Sequence, residues 1–126
     1  MIDAVKDYIC DLLDETSLTK VRKNVLPLEG TMCASVRMTT KATQYALAGN
    51  LLSAELLCSV IVRGNDNAEE TDNLVDEVCE KLELIRSITL TDGTKIHIGT
   101  QPIVAYIGED ENGNYNYNID ALMSVG

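Results

Sequence analysis

Apolar residues at Ile2, Val5, Ile9, Leu12 and Leu13 recur at steps of three and four, with Asp3, Lys6, Asp7, Asp11 and Asp14 between them. That spacing places the two sets on opposite faces of a helix over residues 2–15, and Thr16 and Ser17 release it. Farther on, Pro27 confines Leu26 to extended backbone, and the runs Met32 to Met38 and Ala54 to Arg63 read as strands. Between them, residues 39–53 carry Tyr45, Leu47, Gly49, Leu51 and Leu52 with no sustained period. The segment reads as a long hairpin connection or arm bearing apolar surface, with extension of the flanking strands as the alternative.

Asn67, with Glu70 three residues later, has the spacing of a helix capping box. The predicted helix has a stripe of Ala68, Thr71, Val75, Val78, Leu82 and Ile85, with Leu74 and Cys79 alongside and carboxylates at 69, 70, 72, 76, 77, 80 and 83. Residues 87–98 then alternate about a turn at Asp92-Gly93. A three-residue loop of Thr91, Asp92 and left-handed Gly93 sets Ile88 opposite Ile96, keeping both isoleucines on one face, so this bulged form is preferred. The last quarter predicts a second hairpin. Asn112-Gly113 suits a two-residue loop with positive φ at both positions, which would set Tyr106 opposite Ile119, Val104 opposite Ala121 and Pro102 opposite Met123. In that register the asparagines at 114, 116 and 118 share a wet face with Asp120 and Ser124.

Helix, two strands, helix and two hairpins make an α+β fold. The economical packing is one domain with a mostly antiparallel or mixed β-sheet of about four to six strands and two helices on one face. A chain of 126 residues is long enough for a real core, which must come from Leu, Ile, Val, Met and five tyrosines because Phe and Trp are absent. No apolar run is long enough to span a membrane.

The net charge of −10 argues against tight phosphate-mediated binding to nucleic acid. Lys20, Arg22 and Lys23 form a short basic cluster suited to a solvated loop or to a contact with an acidic neighbour. Cys10, Cys33, Cys58 and Cys79 lack the close pairs of a zinc site and read as small buried hydrophobes. The opening Met-Ile-Asp-Ala-Val-Lys-Asp has neither a basic nor an apolar leader region, so reduced thiols in a cytoplasm are expected.

Chemistry is sparsely signalled. Asp110 and Glu111 adjoin at a turn too short for a calcium cage, and His97, the sole histidine, reads as a strand residue on a half-exposed face. Neither a nucleotide-binding glycine motif nor a nucleophile motif is present. The expectation is therefore no enzyme, no cofactor and no metal. What remains suits assembly: strand edges, an apolar connection and a hairpin whose Tyr115 lies nearest the turn.

The stretch Gly108-Glu109-Asp110-Glu111-Asn112-Gly113, followed by Tyr115 and Tyr117, resembles the C-terminal hairpin of the tail terminator and minor capsid (tail-completion) proteins of long-tailed bacteriophages. A Leu26-Pro27 segment after an N-terminal helix, and Val60-Ile61-Val62-Arg63-Gly64 before the second helix, follow the same order. The chain departs from that pattern at Glu109, where a basic residue is common. The resemblance implies a subunit of a homo-oligomeric ring, usually a hexamer, that caps the head-proximal end of the tail tube and presents a surface to the head connector or neck protein. Phage DNA would pass through an acidic lumen without specific binding, and the protein would be assembled in the bacterial cytoplasm and reside at the neck end of the virion tail. Neighbouring head-completion proteins, and an acidic adaptor for a host protein, are the alternatives. Candidate interface residues are Tyr45, Leu47, Arg63, Asp110, Asn112, Gly113 and Tyr115.

Overall fold

The computed structural model describes residues 2–45, 51–98 and 101–126. Helix α1 spans Ile2–Leu13, two residues shorter than its pattern predicts, and the Thr16 hydroxyl closes its end by donating to the Leu13 carbonyl at 2.6 Å. Strands β1 (Lys20–Lys23), β2 (Cys33–Tyr45) and β3 (Leu51–Arg63) follow, then helix α2 (Ala68–Glu83). Four more strands complete the described chain: β4 (Ser87–Thr89), β5 (Lys95–Ile98), β6 (Ile103–Glu109) and β7 (Tyr115–Val125).

They form one mixed sheet in the order β1-β2-β3-β7-β5-β4, with β6 also paired to β7. Among the described strands only the β1–β2 pair is parallel. The α+β class and the two helices agree with the sequence reading, but the sheet has seven strands among the described residues. The additional strand is β1, whose single apolar side chain, Val21, leaves no alternation to read.

Val36, Val60 and Ile119 lie abreast on β2, β3 and β7, and Leu56, Met123 and Ile98 lie abreast on β3, β7 and β5. These positions, with Val5, Ile9 and Leu13 of α1 and Leu74, Val78 and Leu82 of α2, belong to one buried cluster. Period two on the strands and three-to-four on the helices therefore bury a common set of side chains. Cys58 and Cys79 join or adjoin that cluster, and burial pushes their thiols up to about 12 and about 11. The small polar side chains of Ser35, Thr71, Thr94 and Asn114 are buried as well. No buried side-chain polar atom among the described residues is left unpaired.

The segment expected as a connection or arm over 39–53 is instead strand where it is described. β2 continues to Tyr45 and β3 starts at Leu51, with register shifts beside Lys41 and Tyr45, so strand extension is the correct alternative. Leu47 lies outside the described residues. The Asp92-Gly93 hairpin forms as expected, with Ile88 opposite Ile96 and Gly93 at φ 89°.

The C-terminal hairpin differs from its expected register. Tyr106 faces Tyr117 and Val104 faces Ile119, while Pro102 precedes β6. Gly113 alone of the Asn112-Gly113 pair has positive φ, at 77°. Its N–H donates to the Asp110 carbonyl at 3.0 Å, and the Asp110 N–H donates to the Asn114 carbonyl at 3.0 Å. This is a three-residue loop, a type I turn followed by a left-handed glycine. The Asp110 carboxylate decides the outcome by accepting from the N–H groups of Asn112 at 2.9 Å and Asn114 at 3.0 Å. One bulge at the loop and a second between Tyr106 and Gly108 shift the register by two in all, so Ile119, Ala121 and Met123 still face the core.

Candidate protein–protein interface

Strand β6 carries the densest exposed apolar surface among the described residues. Ile103 is 71% exposed, Ile107 58% and Tyr106 54%, and Val104 is also exposed. The alternation that buries the facing residues of β7 does not bury β6, because β6 pairs with β7 on one side and with no described strand on the other. A seven-residue strand, apolar from Ile103 to Ile107 and with an edge that no described strand covers, is a ready template for another strand. The sequence signal is its lack of alternation: Ile103-Val-Ala-Tyr-Ile107 is apolar at successive positions and so prepared for contact on both faces.

Toward the loop the core-side face becomes aromatic. The Tyr106 ring centroid lies 5.2 Å from that of Tyr117 and 6.4 Å from that of Tyr115, with tilted planes. The Tyr117 hydroxyl donates to Asp72 Oδ1 on α2 at 2.8 Å. Losing that proton would set phenolate against carboxylate, and the bond pushes the Tyr117 phenol up to about 12. An ultraviolet titration should therefore show Tyr117 ionising after ordinary tyrosines, and Asp72→Asn should bring it back toward them. The stability this contributes is present below an ordinary tyrosine pKa of about 10 and is lost as pH rises through about 12.

On the opposite face of the sheet, Ser59 Oγ and Asn118 Nδ2 donate to Asp120 Oδ1 at 2.7 and 2.9 Å, forming a polar ladder between β3 and β7. Exposed Leu122 lies farther along β7, and His97 on β5 is exposed.

The candidate residues separate into different roles. Tyr115 is half-buried in the tyrosine group, and Asn112 is exposed at the loop tip. Asp110 and Gly113 build the loop, and the backbone bonds from Asn114 and Asn112 hold the Asp110 carboxyl below the usual carboxylate range. Tyr45 pairs with Leu51 at the far end of the β2–β3 ribbon. Arg63 is tied inward: its guanidinium donates to the carbonyls of Gly30 at 2.9 Å and Pro27 at 2.6 Å and fastens the loop before β2. Isolated Arg63 in the sequence gives no sign of that partner, which lies about thirty residues away. The residues missed by sequence reasoning are those of β6 itself, Ile103, Tyr106 and Ile107.

The basic cluster lies on an edge strand. Lys20, Arg22 and Lys23 of β1 and Arg37 and Lys41 of β2 are all exposed. Lys23 pairs with Asp7 at 2.8 Å, while Arg22, Arg37 and Lys41 have no ion pair among the described residues. A surface depression of about 440 Å³ between α1 and the β4–β5 turn is lined in part by Asp7, Tyr8, Asp11, Leu90 and Asp92. Among the described residues no group of three or more His, Cys, Asp or Glu side chains is placed to hold a metal ion. No helix among them is long and apolar enough to cross a membrane. No protein-family model matches the chain, and a search of curated proteins finds no match.

Proposed function

We propose that this chain is a structural virion-assembly protein whose copies close into a ring at the head-proximal end of a phage tail tube, stopping tube growth and joining the tail to the head connector. The observation that carries the reading is β6, an apolar strand with one edge free and Ile103, Tyr106 and Ile107 in water. Such a strand is a liability in a lone subunit and a contact in an assembly. The resemblance of the Gly108–Gly113 segment to tail-completion proteins supplies the biological setting. A heterologous contact closes when its rotation divides the circle, so a ring can match the tube end without extending it. The net charge of −10 suits a lumen through which DNA slides.

The test mixes the purified chain with the tube protein encoded beside it. Native mass spectrometry should show a closed oligomer, and electron microscopy should show shortened tubes with a ring at one end. A monomer that leaves tube growth unchecked overturns the proposal. Capture of the head connector without any effect on the tube would move the assignment to a neck protein, and a stable monomer complexed with a host protein would make it an adaptor.

A further inference from the structure

We infer that the open edge of β6 takes up, as an added strand, an extended segment of another protein in which basic residues alternate with apolar ones. The inference rests on the reading of β6 as an assembly contact and names the chemistry of what docks there; in the assembly proposed above, the tube or connector protein would supply the segment.

The backbone of β6 is arranged for such an addition. The Tyr115 carbonyl accepts from the Gly64 N–H at 2.8 Å and the Tyr115 N–H donates to the Asn65 carbonyl at 3.0 Å, so the odd-numbered residues of β7 turn their amides toward β3. The even-numbered ones turn the other way, as Gly126 does just past β7 when it exchanges bonds of 2.7 and 2.9 Å with Lys95. Ile103 and Ala105 sit opposite Asp120 and Asn118, so they bond to β7, and the N–H and C=O groups of Val104 and Tyr106 point to the open edge. Pro102, the next residue of that parity, has no N–H to offer and bounds the site.

The side chains decide what the added strand carries. Its residues that bond to Val104 and Tyr106 share the core-side face with them, where both are exposed and Tyr115, Tyr117 and Glu109 adjoin. Helix α2 borders this face. It is bonded to Tyr117 through Asp72, and the Arg86 carbonyl beyond its end accepts from the Ile98 N–H at 3.3 Å, so it runs along β7 from Tyr117 toward Met123, the partner of Ile98. Glu77 and Lys81 turn to Ser17 and Glu15 after α1, which leaves Asp72, Asp76, Cys79 and Glu83, at steps of three and four, on the flank toward β6. None of Asp72, Asp76, Glu83 and Glu109 has an ion pair among the described residues. A face of tyrosines and unpaired carboxylates fits Lys or Arg, held by cation–π contact and by charge. Arg86, beyond Glu83, confines that preference to the Tyr106 end. Residues between the basic ones fall on the opposite face beside Ile103 and Ala105, where the fitting side chain is apolar.

Fluorescence anisotropy with a short labelled peptide of alternating Arg and Val tests this, in variants that keep the wild-type circular dichroism. Asp76→Lys with Glu83→Lys should weaken binding about tenfold, while Asp11→Lys with Asp14→Lys, the same charge change on α1, should weaken it far less. N-methylation of the arginine nitrogens should abolish binding and N-methylation of the valine nitrogens should not, because only the former face Val104 and Tyr106. A peptide of alternating Glu and Val, or one with Arg and Val in separate blocks, should not bind. Equal loss in the α1 variant, or indifference to N-methylation, overturns the proposal, since charge alone would then hold the peptide. Wild-type self-association that the peptide displaces and that Lys20→Glu with Arg22→Glu abolishes would make the occupant the Lys20-Val21-Arg22 stretch of a second copy, and overturns it also. A ring on the tube with no peptide binding overturns this docking and leaves the ring standing, whereas specific peptide binding by a chain that leaves tube growth unchecked upholds the docking and removes the ring.

Discussion

Gly64→Ala is expected to lower stability by about 1–3 kcal/mol through overpacking. Gly64 sits where three elements meet. Its N–H donates to the Tyr115 carbonyl at 2.8 Å, while the next residue, Asn65, accepts from the Tyr115 N–H at 3.0 Å. A Cβ on Gly64 would collide with the Cγ2 and Oγ1 of Thr71, which is fully buried in the first turns of α2. Thr71 cannot rotate freely, because its hydroxyl accepts from the Asn65 N–H at 3.2 Å. The cost thus comes from space, and relief requires α2 to move away from the start of β7. Adding Thr71→Ala should recover part of the loss, with a coupling of about 0.5–3 kcal/mol in a double-mutant cycle followed by urea denaturation. Additive effects would show that the helix shifts without strain.

Gly113→Val is the second large effect, and its origin is different. At φ 77° a β-branched residue is strained, while nothing lies within 4 Å of the added Cβ. The penalty is therefore backbone conformation alone, about 1–3 kcal/mol. Gly113→Asn should lose much less, because Asn visits the left-handed region more readily. Asn112→Ala distinguishes the observed loop from a two-residue loop: Asn112 has ordinary φ here, so alanine should be nearly neutral, whereas a loop with positive φ at both central positions would make it costly. Thermal melting of the three variants gives the ranking. Valine melting like the wild type would mean that Gly113 does not hold the turn.

The contrast between the two hairpins shows how far the sequence could be read. At Asp92-Gly93, only one loop length keeps Ile88 and Ile96 on the same face, so the apolar pattern and the turn chemistry agree. At residues 110–113 two turn signals overlap. Asn112-Gly113 favours one loop, while Asp110 three residues before Gly113 favours another, and hydrogen bonds from Asn112 and Asn114 to the Asp110 carboxylate decide between them. The continuation of β2 was hard to read for a separate reason. Thr39, Lys41 and Thr43 are exposed, and so are Thr40 and Ala42, so neither face carries the apolar mark by which a half-buried strand is recognised.

The candidate interface followed the same logic in reverse. The alternation rule assumes that apolar means inward, and β6 is apolar on both faces while covered on neither. The place of Tyr115 beside the loop is readable from the sequence, and the structure has it there, opposite Glu109. The place of Arg63 is not, because its role depends on carbonyls of Pro27 and Gly30 that are brought to it only after β2 and β3 pair.

Strand β7 lies between β3 on one side and β5 and β6 on the other, yet follows all three in the chain. Until a ribosome has produced it, the two halves of the nascent sheet have nothing to join them, and β3 presents a bare row of amides and carbonyls. Ladders of such wide sequence separation form slowly. The interval during synthesis is thus when this polypeptide is most exposed to aggregation, and chaperone dependence should decline once β7 has docked.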